Sequence, residues 1–305
     1  MSGECRRCSP RRLRRDGRGV SMPLELLLQQ ARAVEQAWST AWISLSAVGK
    51  EPRSVADDTS EYVRVYTPGV REMLLNIVLR CSSAAPVTMA DMERIVAPYR
   101  YYRLPFQWWL TLGTEPEGLR DCLRRMGMQT WGGATSMTLP LLGWTPEYTP
   151  IESARCLFRP SHTGEDATAA LQIICSVFFV PHEPMARWTT ENPATHLYVA
   201  HMDGRPAAAL ATLRHQGTVG VYHVATLPFA RRRGLAGNLL ILALRDAIQA
   251  GCTLATLTAT PEARHLYEQL GFSACGFLEQ WIPGPELTRS LLYGAPGVPP
   301  GPEIS

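Results

Sequence analysis

The sequence has no apolar run of the ~18 residues that a membrane-spanning helix needs. Its longest apolar stretch, residues 173–180, is interrupted by Cys175 and Ser176. A secretory signal of the usual kind is also lacking, because the apolar stretch 24–28 is short and contains Glu25. We therefore expect a cytoplasmic protein that has no membrane partner.

The sequence also lacks a recognisable metal-binding pattern. Its eight cysteines are scattered, and only Cys5 and Cys8 form a C-x-x-C pair, with no second pair or histidine cluster to complete a zinc site. We expect no metal, and we expect the remaining thiols to be reduced, as in other cytoplasmic proteins.

A basic surface on the folded part is missing as well, although the net charge is +3. Residues 1–21 contain seven arginines against Glu4 and Asp16, a charge of +5, so the rest of the chain carries −2. We therefore expect no nucleic-acid partner. Residues 1–21 are predicted to form a disordered basic tail, with a true start at Met22 as an alternative.

The remaining composition is that of a globular protein, with 46% hydrophobic and 19% charged residues. A proline-bearing connector at residues 143–150 separates two apolar-rich halves, and residues 283–305 are rich in proline and glycine. The sequence thus predicts domains at 22–145 and 150–282, with residues 283–305 as a disordered tail.

Hydrophobic periodicity predicts a mixed α/β pattern in both halves. In the C-terminal half it predicts strands at 154–158, 195–201, 206–214, 218–226, 253–258 and 274–281, and helices at 166–180, 235–250 and 261–270. In the N-terminal half it predicts a strand at 62–66 and helices at 24–41, 72–80 and 89–96.

One local repeat links the two halves. Residues 119–128 match residues 265–272 in pattern: a short helix, a glycine (Gly127 or Gly271), an apolar residue and then a strand. This similarity indicates a divergent duplication.

The segment 224–237 carries the strongest functional signal, because a strand leads into a short basic loop that begins a helix. The first turn of a helix presents backbone N–H groups that favour an anion. Gly234, Ala236 and Gly237 are small enough for a phosphate to approach the backbone, and the arginines 231–233 add positive charge. The segment therefore predicts a pyrophosphate site, although neither the Walker pattern nor the dinucleotide G-x-G-x-x-G pattern is present.

The same segment resembles motif A of the GNAT superfamily of N-acetyltransferases. There a strand ending in V-x-P leads to [QR]-x-x-G-x-[GA], which corresponds here to Thr226-Leu-Pro228 followed by Arg231-Arg-Arg-Gly234-Leu-Ala236. Residues 263–272, which contain Leu-Tyr267-Glu-Gln-Leu-Gly271-Phe272, resemble a later motif of that family. The resemblance covers residues 150–282. It implies an α+β fold with a central, mostly antiparallel, splayed mixed sheet flanked by helices. The chain resembles tandem members with two similar domains, here with a degenerate N-terminal one.

The resemblance implies acetyl-CoA as cosubstrate and assigns roles by position. The backbone at Val224, Ala225 and Thr226 would pair with the pantetheine arm. The residues expected to bind the pyrophosphate are Arg231, Arg232, Arg233, Gly234, Leu235, Ala236 and Gly237. Tyr267 would lie beside the thioester sulfur. The family often has an asparagine where this chain has Thr260-Pro261-Glu262, so the contact of that asparagine is in doubt.

The implied chemistry is direct attack of a primary amine on acetyl-CoA in a ternary complex. The Val224 amide could stabilise the oxyanion, and Tyr267 could donate a hydrogen bond or a proton to the leaving thiolate. His223 is the candidate base, and strand alternation places Tyr222 on the opposite face. Other candidate bases are Glu183, His201, Asp203 and a water chain.

The N-terminal half lacks these motifs, and Leu123 stands where Tyr267 stands in the other half. Its aromatic residues are candidates for lining an amine pocket between the halves: Tyr99, Tyr101, Tyr102, Phe106, Trp108 and Trp109. The acceptor is expected to be a small-molecule or peptide amine, and a homodimer is allowed. Two alternatives stay open: a non-catalytic acyl-CoA sensor or interaction module, and a transferase that uses a longer acyl donor.

Overall fold

The computed structural model describes residues 23–83, 85–111, 115–146, 156–161 and 164–293. The predictions for residues 1–21, for Cys5 and Cys8, for the second half of the connector (147–150) and for residues 294–305 lie outside these ranges. The elements of the first half are α1 (Leu24–Ile43), β1 (Val55–Asp58), β2 (Tyr62–Tyr66), β3 (Ile77–Cys81), α2 (Met89–Tyr101), β4 (Gln107–Thr111), α3 (Leu119–Met126) and β5 (Met128–Pro140).

The second half repeats this succession with additions at both ends. Its elements are β6 (Cys156–Ser161), α4 (Gly164–Phe178), α5 (His182–Trp188), β7 (Thr195–Met202), β8 (Arg205–His215), β9 (Thr218–Thr226), α6 (Leu235–Gln249), β10 (Leu254–Ala259), α7 (Pro261–Gln269), β11 (Ser273–Pro283) and α8 (Pro285–Tyr293).

The described strands form one continuous mixed sheet, in the order β1-β2-β3-β4-β11-β5-β10-β9-β8-β7-β6. The pairs β3–β4 and β9–β10 are parallel, and the other neighbours are antiparallel. Apart from β6, the order has an approximate twofold symmetry about the β11–β5 pair. The mixed α+β fold with two similar halves is therefore confirmed.

The two halves exchange their last strands. Strand β5 of the first half lies between β10 and β11, and strand β11 of the second half lies between β4 and β5. The β5–β11 ladder runs from Ser273↔Thr138 to Pro283↔Met128, so it holds the two halves together along the whole of β11. The predicted boundary near residue 145 therefore separates the halves along the chain, while the sheet is continuous across them.

Helix α1 lies over the centre of this sheet. Its buried residues recur every three or four positions (Ala31, Val34, Ala37, Ala41 and Trp42), as an amphipathic helix requires. It packs on strands of both halves, β9 and β10 as well as β3, β5 and β11. The Tyr222 hydroxyl donates a hydrogen bond to the Ala37 carbonyl at 2.8 Å, which fixes α1 to β9.

One prediction from periodicity and one from composition are wrong. The expected helix at 72–80 is a short 3-10 turn at Met73–Leu75 followed by strand β3, whose residues Ile77, Val78 and Leu79 are buried. The expected disordered tail from residue 283 begins instead as the end of β11 and helix α8, because Leu287 and Leu291 are buried in the core around α2 and α3.

The residues that the structure describes contain neither a membrane-spanning helix nor a cluster of metal ligands. Within those ranges, none of the helices combines the length and the hydropathy that crossing a membrane requires. Histidine, cysteine and carboxylate side chains do not come together there in groups of three that could hold a metal ion.

Candidate active site

Strand β9 is interrupted by a β-bulge where the predicted site begins. Ala209 pairs with Ala225, and Ala211 pairs with Tyr222, so the single residue Leu210 faces both His223 and Val224. His223 has a φ of 52°, in the left-handed region that accommodates an extra residue in a strand. The bulge therefore removes His223 and Val224 from the ladder with β8 and redirects their backbone groups.

Strands β9 and β10 diverge next to this bulge. Their parallel pairing covers only residues 218–220 and 254–256. Beyond that point β9 continues alongside β8 as far as Thr226, while β10 continues alongside β5 as far as Ala259. A gap therefore opens in the sheet beside Val224, Ala225 and Thr226, which is the splay that the resemblance implied.

The basic loop leads from β9 into α6. Gly234, with a φ of 74°, is the N-cap residue, and among the described residues no side chain caps the helix. The amides of Leu235, Ala236 and Gly237 lie in the first turn, where N–H groups have no partner within the helix. The Arg231 Nε donates to the Thr226 carbonyl at 3.1 Å, which holds the loop against the end of β9.

A cavity of about 510 Å³, which we call the Arg-loop cavity, joins this helix end to the splay. Its lining includes eight of the ten predicted donor-binding residues; Ala225 and Arg233 do not line it. The lining residues are Val177, Val224, Thr226, Ala230, Arg231, Arg232, Gly234, Leu235, Ala236, Gly237, Thr260, Glu262, Ala263, Leu266 and Tyr267. Ala225 points into the core and is 1% exposed, because neighbouring residues of a strand face opposite sides.

Glu262 brings a negative charge to this otherwise basic cavity. Hydrogen bonds from its own backbone N–H and from the Thr260 side chain lower the pKa of its exposed carboxyl group. Thr260 and Glu262 occupy the positions where the family often has an asparagine, so the chain presents a hydroxyl and a carboxylate there instead.

A second cavity of about 290 Å³ lies on the other side of the splay, and we call it the aromatic cavity. It is lined by Trp38, Gly133, Ala134, Phe178, Val221, Tyr222, His223, Val224, Thr258, Thr260, Ala263, Tyr267 and Gln280. Val224, Thr260, Ala263 and Tyr267 line both cavities. The two spaces therefore meet beside the β-bulge.

Tyr267 stands where the cavities meet, as its predicted role requires. Its side chain is 5% exposed, and its ring packs against Phe272 with the centroids 6.0 Å apart. Burial raises the pKa of its phenol, so the group is a neutral hydrogen-bond donor over the whole physiological range.

His223 lies in an apolar environment. Its ring makes edge contacts with Trp188 at 4.7 Å and with Phe178 at 5.7 Å between centroids. Burial lowers the pKa of the imidazole to about 4, because the charged form would lose its hydration. Nε2 is buried and has no hydrogen-bond partner among the described residues. The imidazole is therefore neutral at pH 7.

The expectation that Tyr222 and His223 point to opposite faces is wrong. Both rings contact Trp188, Tyr222 at 5.0 Å and His223 at 4.7 Å, so they lie on the same side of the sheet. The bulge breaks the alternation of side chains that the prediction assumed. Tyr222 is held by its hydrogen bond to α1, whereas Nε2 of His223 has no such partner in the part of the chain that is described.

The reserve candidates for a base do not line either cavity. His201 Nε2 lies 2.8 Å from Asp166 Oδ1 near the far edge of the sheet. Glu183 pairs with Arg187 at 3.4 Å, and Asp203 occupies the turn between β7 and β8 with a φ of 52°.

The six N-terminal aromatic residues proposed for an amine pocket do not line the aromatic cavity. Tyr99, Phe106 and Trp108 are fully buried in the core of the first half, and Tyr101 is exposed. The first half contributes Trp38 from α1 and Gly133 and Ala134 from the exchanged strand β5 instead. Sequence reasoning missed these residues, because strand exchange between the halves has no local signature.

The helix end equivalent to that of α6 is closed in the first half. Helix α2 follows β3 as α6 follows β9, but Thr88 caps it. The Thr88 hydroxyl accepts from the Asp91 amide at 3.3 Å, and the Asp91 carboxylate accepts from the Thr88 amide at 2.9 Å. This capping box places a carboxylate where α6 presents open amides, which is unfavourable for a pyrophosphate.

Comparison with known proteins finds a family match in the second half of the chain. Residues 165–272 match the acetyltransferase (GNAT) family. A GCN5-related N-acetyltransferase from Kribbella flavida is 20% identical and has a TM-score of 0.65, with 85% of this chain and 97% of that one covered. A GCN5-related N-acetyltransferase from Sphaerobacter thermophilus is 16% identical and has a TM-score of 0.51, with 83% of this chain and 92% of that one covered. A search of curated proteins finds no significant match.

The arrangement of two halves is also found in a known structure. A tandem GNAT protein from the clavulanic acid biosynthesis pathway is 14% identical with a TM-score of 0.54, and the match covers 86% of this chain and 96% of that one. Residues 165–272 therefore carry an acetyltransferase (GNAT) family domain, and the chain as a whole has the fold of the GNAT structures. The family match indicates acyl transfer from acyl-CoA as the class of activity.

Proposed function

We propose that the protein is an N-acetyltransferase that moves an acetyl group from acetyl-CoA to a primary amine by direct attack in a ternary complex. The observation that carries the proposal is the junction of the two cavities at Val224 and Tyr267, beside the β-bulge. One cavity has the charge and shape for an acyl-CoA donor, and the other opens onto the same point from the opposite side.

Donor binding is supported by the Arg-loop cavity. The amides of the first turn of α6 and the arginine loop suit the pyrophosphate. The pantetheine arm would lie in the splay along Val224 to Thr226, as an added strand does. The acetyl group would then lie next to Tyr267, where the second cavity begins.

The proposed reaction forms a C–N bond and breaks the C–S bond of the thioester. The amine nitrogen attacks the thioester carbonyl carbon and forms a C–N bond, and the negative charge on oxygen would be stabilised by the Val224 amide. Collapse of this species breaks the C–S bond, and the thiolate would accept a hydrogen bond from the Tyr267 phenol. The proton lost by nitrogen becomes acidic on attack, so neutral His223 could accept it despite a pKa near 4.

The first half is proposed to be catalytically silent. The capping box of Thr88 and Asp91 occupies its equivalent helix end, and Leu123 of α3 replaces the tyrosine of α7. Its role would be to supply the Trp38 wall and the β5 edge of the aromatic cavity.

A non-catalytic acyl-CoA sensor remains the second candidate, because it would share the whole Arg-loop cavity. Nε2 of His223 is buried beside the cavity junction and has no hydrogen-bond partner among the described residues. This favours the enzyme, since a sensor has no use for such a polar atom.

The first test is acetyl-CoA binding by Ala236→Glu, measured by calorimetry. Ala236 is half-buried in the first turn of α6 and lines the Arg-loop cavity. A glutamate there interacts favourably with the helix dipole, so the fold should tolerate it. Its negative charge, however, repels the pyrophosphate. At contact distance, and with partial screening by solvent, the repulsion between the glutamate and the pyrophosphate is about 2 kcal/mol or more. This weakens acetyl-CoA binding at least about 30-fold.

The matched control is Gln249→Glu, which makes the same charge change at the exposed far end of α6. We expect its affinity for acetyl-CoA to equal that of the wild type. Wild-type protein that fails to bind acetyl-CoA would refute donor binding, and equal losses in both variants would refute the position of the pyrophosphate.

A further inference from the structure

The aromatic cavity has no formal charge in its lining. Among the described residues that form it there is no carboxylate, lysine or arginine side chain. Arg231, Arg232 and Glu262 line only the Arg-loop cavity, on the donor side of the junction. A second ammonium or a carboxylate on the acceptor would therefore lose its hydration without gaining a partner of opposite charge.

Its walls are made of aromatic rings held in place by packing. The Trp38 ring lies 4.7 Å from Trp42, 4.6 Å from Trp109 and 4.8 Å from Tyr222 between centroids, so it forms a fixed wall. Phe178, at the end of α4, is 43% exposed and stands at the edge of the cavity. These faces suit a flat or branched apolar group.

The remaining lining groups are small or neutral. Gly133 and Ala134 contribute little or no side chain, and Thr258, Thr260 and Gln280 offer uncharged hydrogen-bonding groups. A volume of about 290 Å³ is just below the range for small-molecule sites, about 300–1,000 Å³. The space therefore fits a compact molecule better than a folded or polycationic one.

We propose that the acceptor is a compact primary monoamine with an aromatic or branched apolar remainder and no second charge, and that Trp38 is the residue that selects it. This inference rests on the proposed acetyl transfer and specifies its substrate class. Binding in an uncharged cavity also favours the unprotonated amine, which is the form that attacks.

The test is acetyl transfer by the full-length protein to two matched pairs of amines. Pentylamine and 1,5-diaminopentane differ by one ammonium group, and 2-phenylethylamine and phenylalanine differ by one carboxylate. We expect kcat/KM to fall at least about 100-fold from the first to the second member of each pair. A lysine-containing peptide and an aminoglycoside complete the panel, and we expect both to be poorer than 2-phenylethylamine.

The role of Trp38 is tested with Trp38→Ala and, because the full truncation could disturb the cluster, with Trp38→Phe. Both should lower kcat/KM for 2-phenylethylamine more than for pentylamine, Trp38→Ala by at least about tenfold, with acetyl-CoA affinity unchanged. Trp131→Ala is the control, since Trp131 is 71% exposed and does not line the cavity. Trp131→Ala should have the same kcat/KM as the wild type for both 2-phenylethylamine and pentylamine.

The outcomes separate the two proposals. Preference for the diamine, the amino acid, the peptide or the aminoglycoside would overturn the substrate class and leave acetyl transfer standing. Equal losses for both amines in the Trp38 variants would overturn the selecting role of Trp38. Binding of acetyl-CoA without transfer to any amine of the panel would overturn the proposed function itself.

Discussion

Replacing His223 by asparagine should remove a pH-dependent loss of stability. The imidazole has a pKa of about 4 in the folded protein, against 6.5 when it is solvated. As the pH falls below 6.5, the imidazole binds a proton in the unfolded chain but not in the folded protein. The free energy of unfolding therefore decreases between about pH 6.5 and pH 4. The two pKa values give a loss of about 2 kcal/mol between pH 7 and pH 5.

Asparagine is the suitable replacement, because it accepts the left-handed conformation that His223 adopts and does not titrate. Urea unfolding at pH 7 and pH 5 measures the change in the free energy of unfolding for the wild type and the variant. Contributions of the other titrating groups cancel in the difference. We expect the pH dependence of the variant to be smaller by about 2 kcal/mol.

His265→Asn is the control for this experiment, since it makes the same substitution at an exposed position of α7 that lines neither cavity. A pH dependence that is unchanged in His223→Asn would refute the reasoning, because it would mean that the imidazole is solvated at the bulge. The assignment of His223 as a neutral group facing the acceptor would then lose its physical basis.

Two other predictions concern Tyr267 and helix α8. Tyr267→Phe should lower kcat at least about tenfold and leave the Kd for acetyl-CoA within about twofold, because it removes only the hydrogen bond to the leaving thiolate; an unchanged kcat would refute that role. Leu287→Ala should reduce the free energy of unfolding by about 2–4 kcal/mol, since Leu287 is buried in the core of the first half. Arg289→Ala, on the exposed side of α8, is the control and should change it by less than about 0.5 kcal/mol.

Local patterns were sufficient for most elements of the second half. The predicted strand at 218–226 is β9 itself, and the predicted helices at 235–250 and 261–270 agree with α6 and α7 within one residue at each end. The left-handed glycines Gly127 and Gly271 end the two matching helices, as the repeat predicted. These features depend on neighbours along the chain, so periodicity and cap residues are enough to predict them.

The first half was harder to predict because β2, β3 and β4 are buried on both faces. Strand β3 has apolar residues on consecutive positions, and such a run does not distinguish a buried strand from a buried helix. Burial of Leu287 and Leu291 likewise converts a segment with tail-like composition into α8.

The sequence alone predicted the family resemblance, the repeat, the helix end proposed to bind an anion and the position of Tyr267, because each depends on residue types at fixed short spacings. Only the tertiary structure decided which residues line the proposed acceptor side. The bulge at His223 turned two neighbouring side chains to one face, and the exchange of β5 and β11 brought Gly133, Ala134 and Gln280 together. Trp38 reaches the same cavity only because α1 packs across strands of both halves. Such long-range pairing is set by the packing of the whole sheet, and no local segment of the chain encodes it.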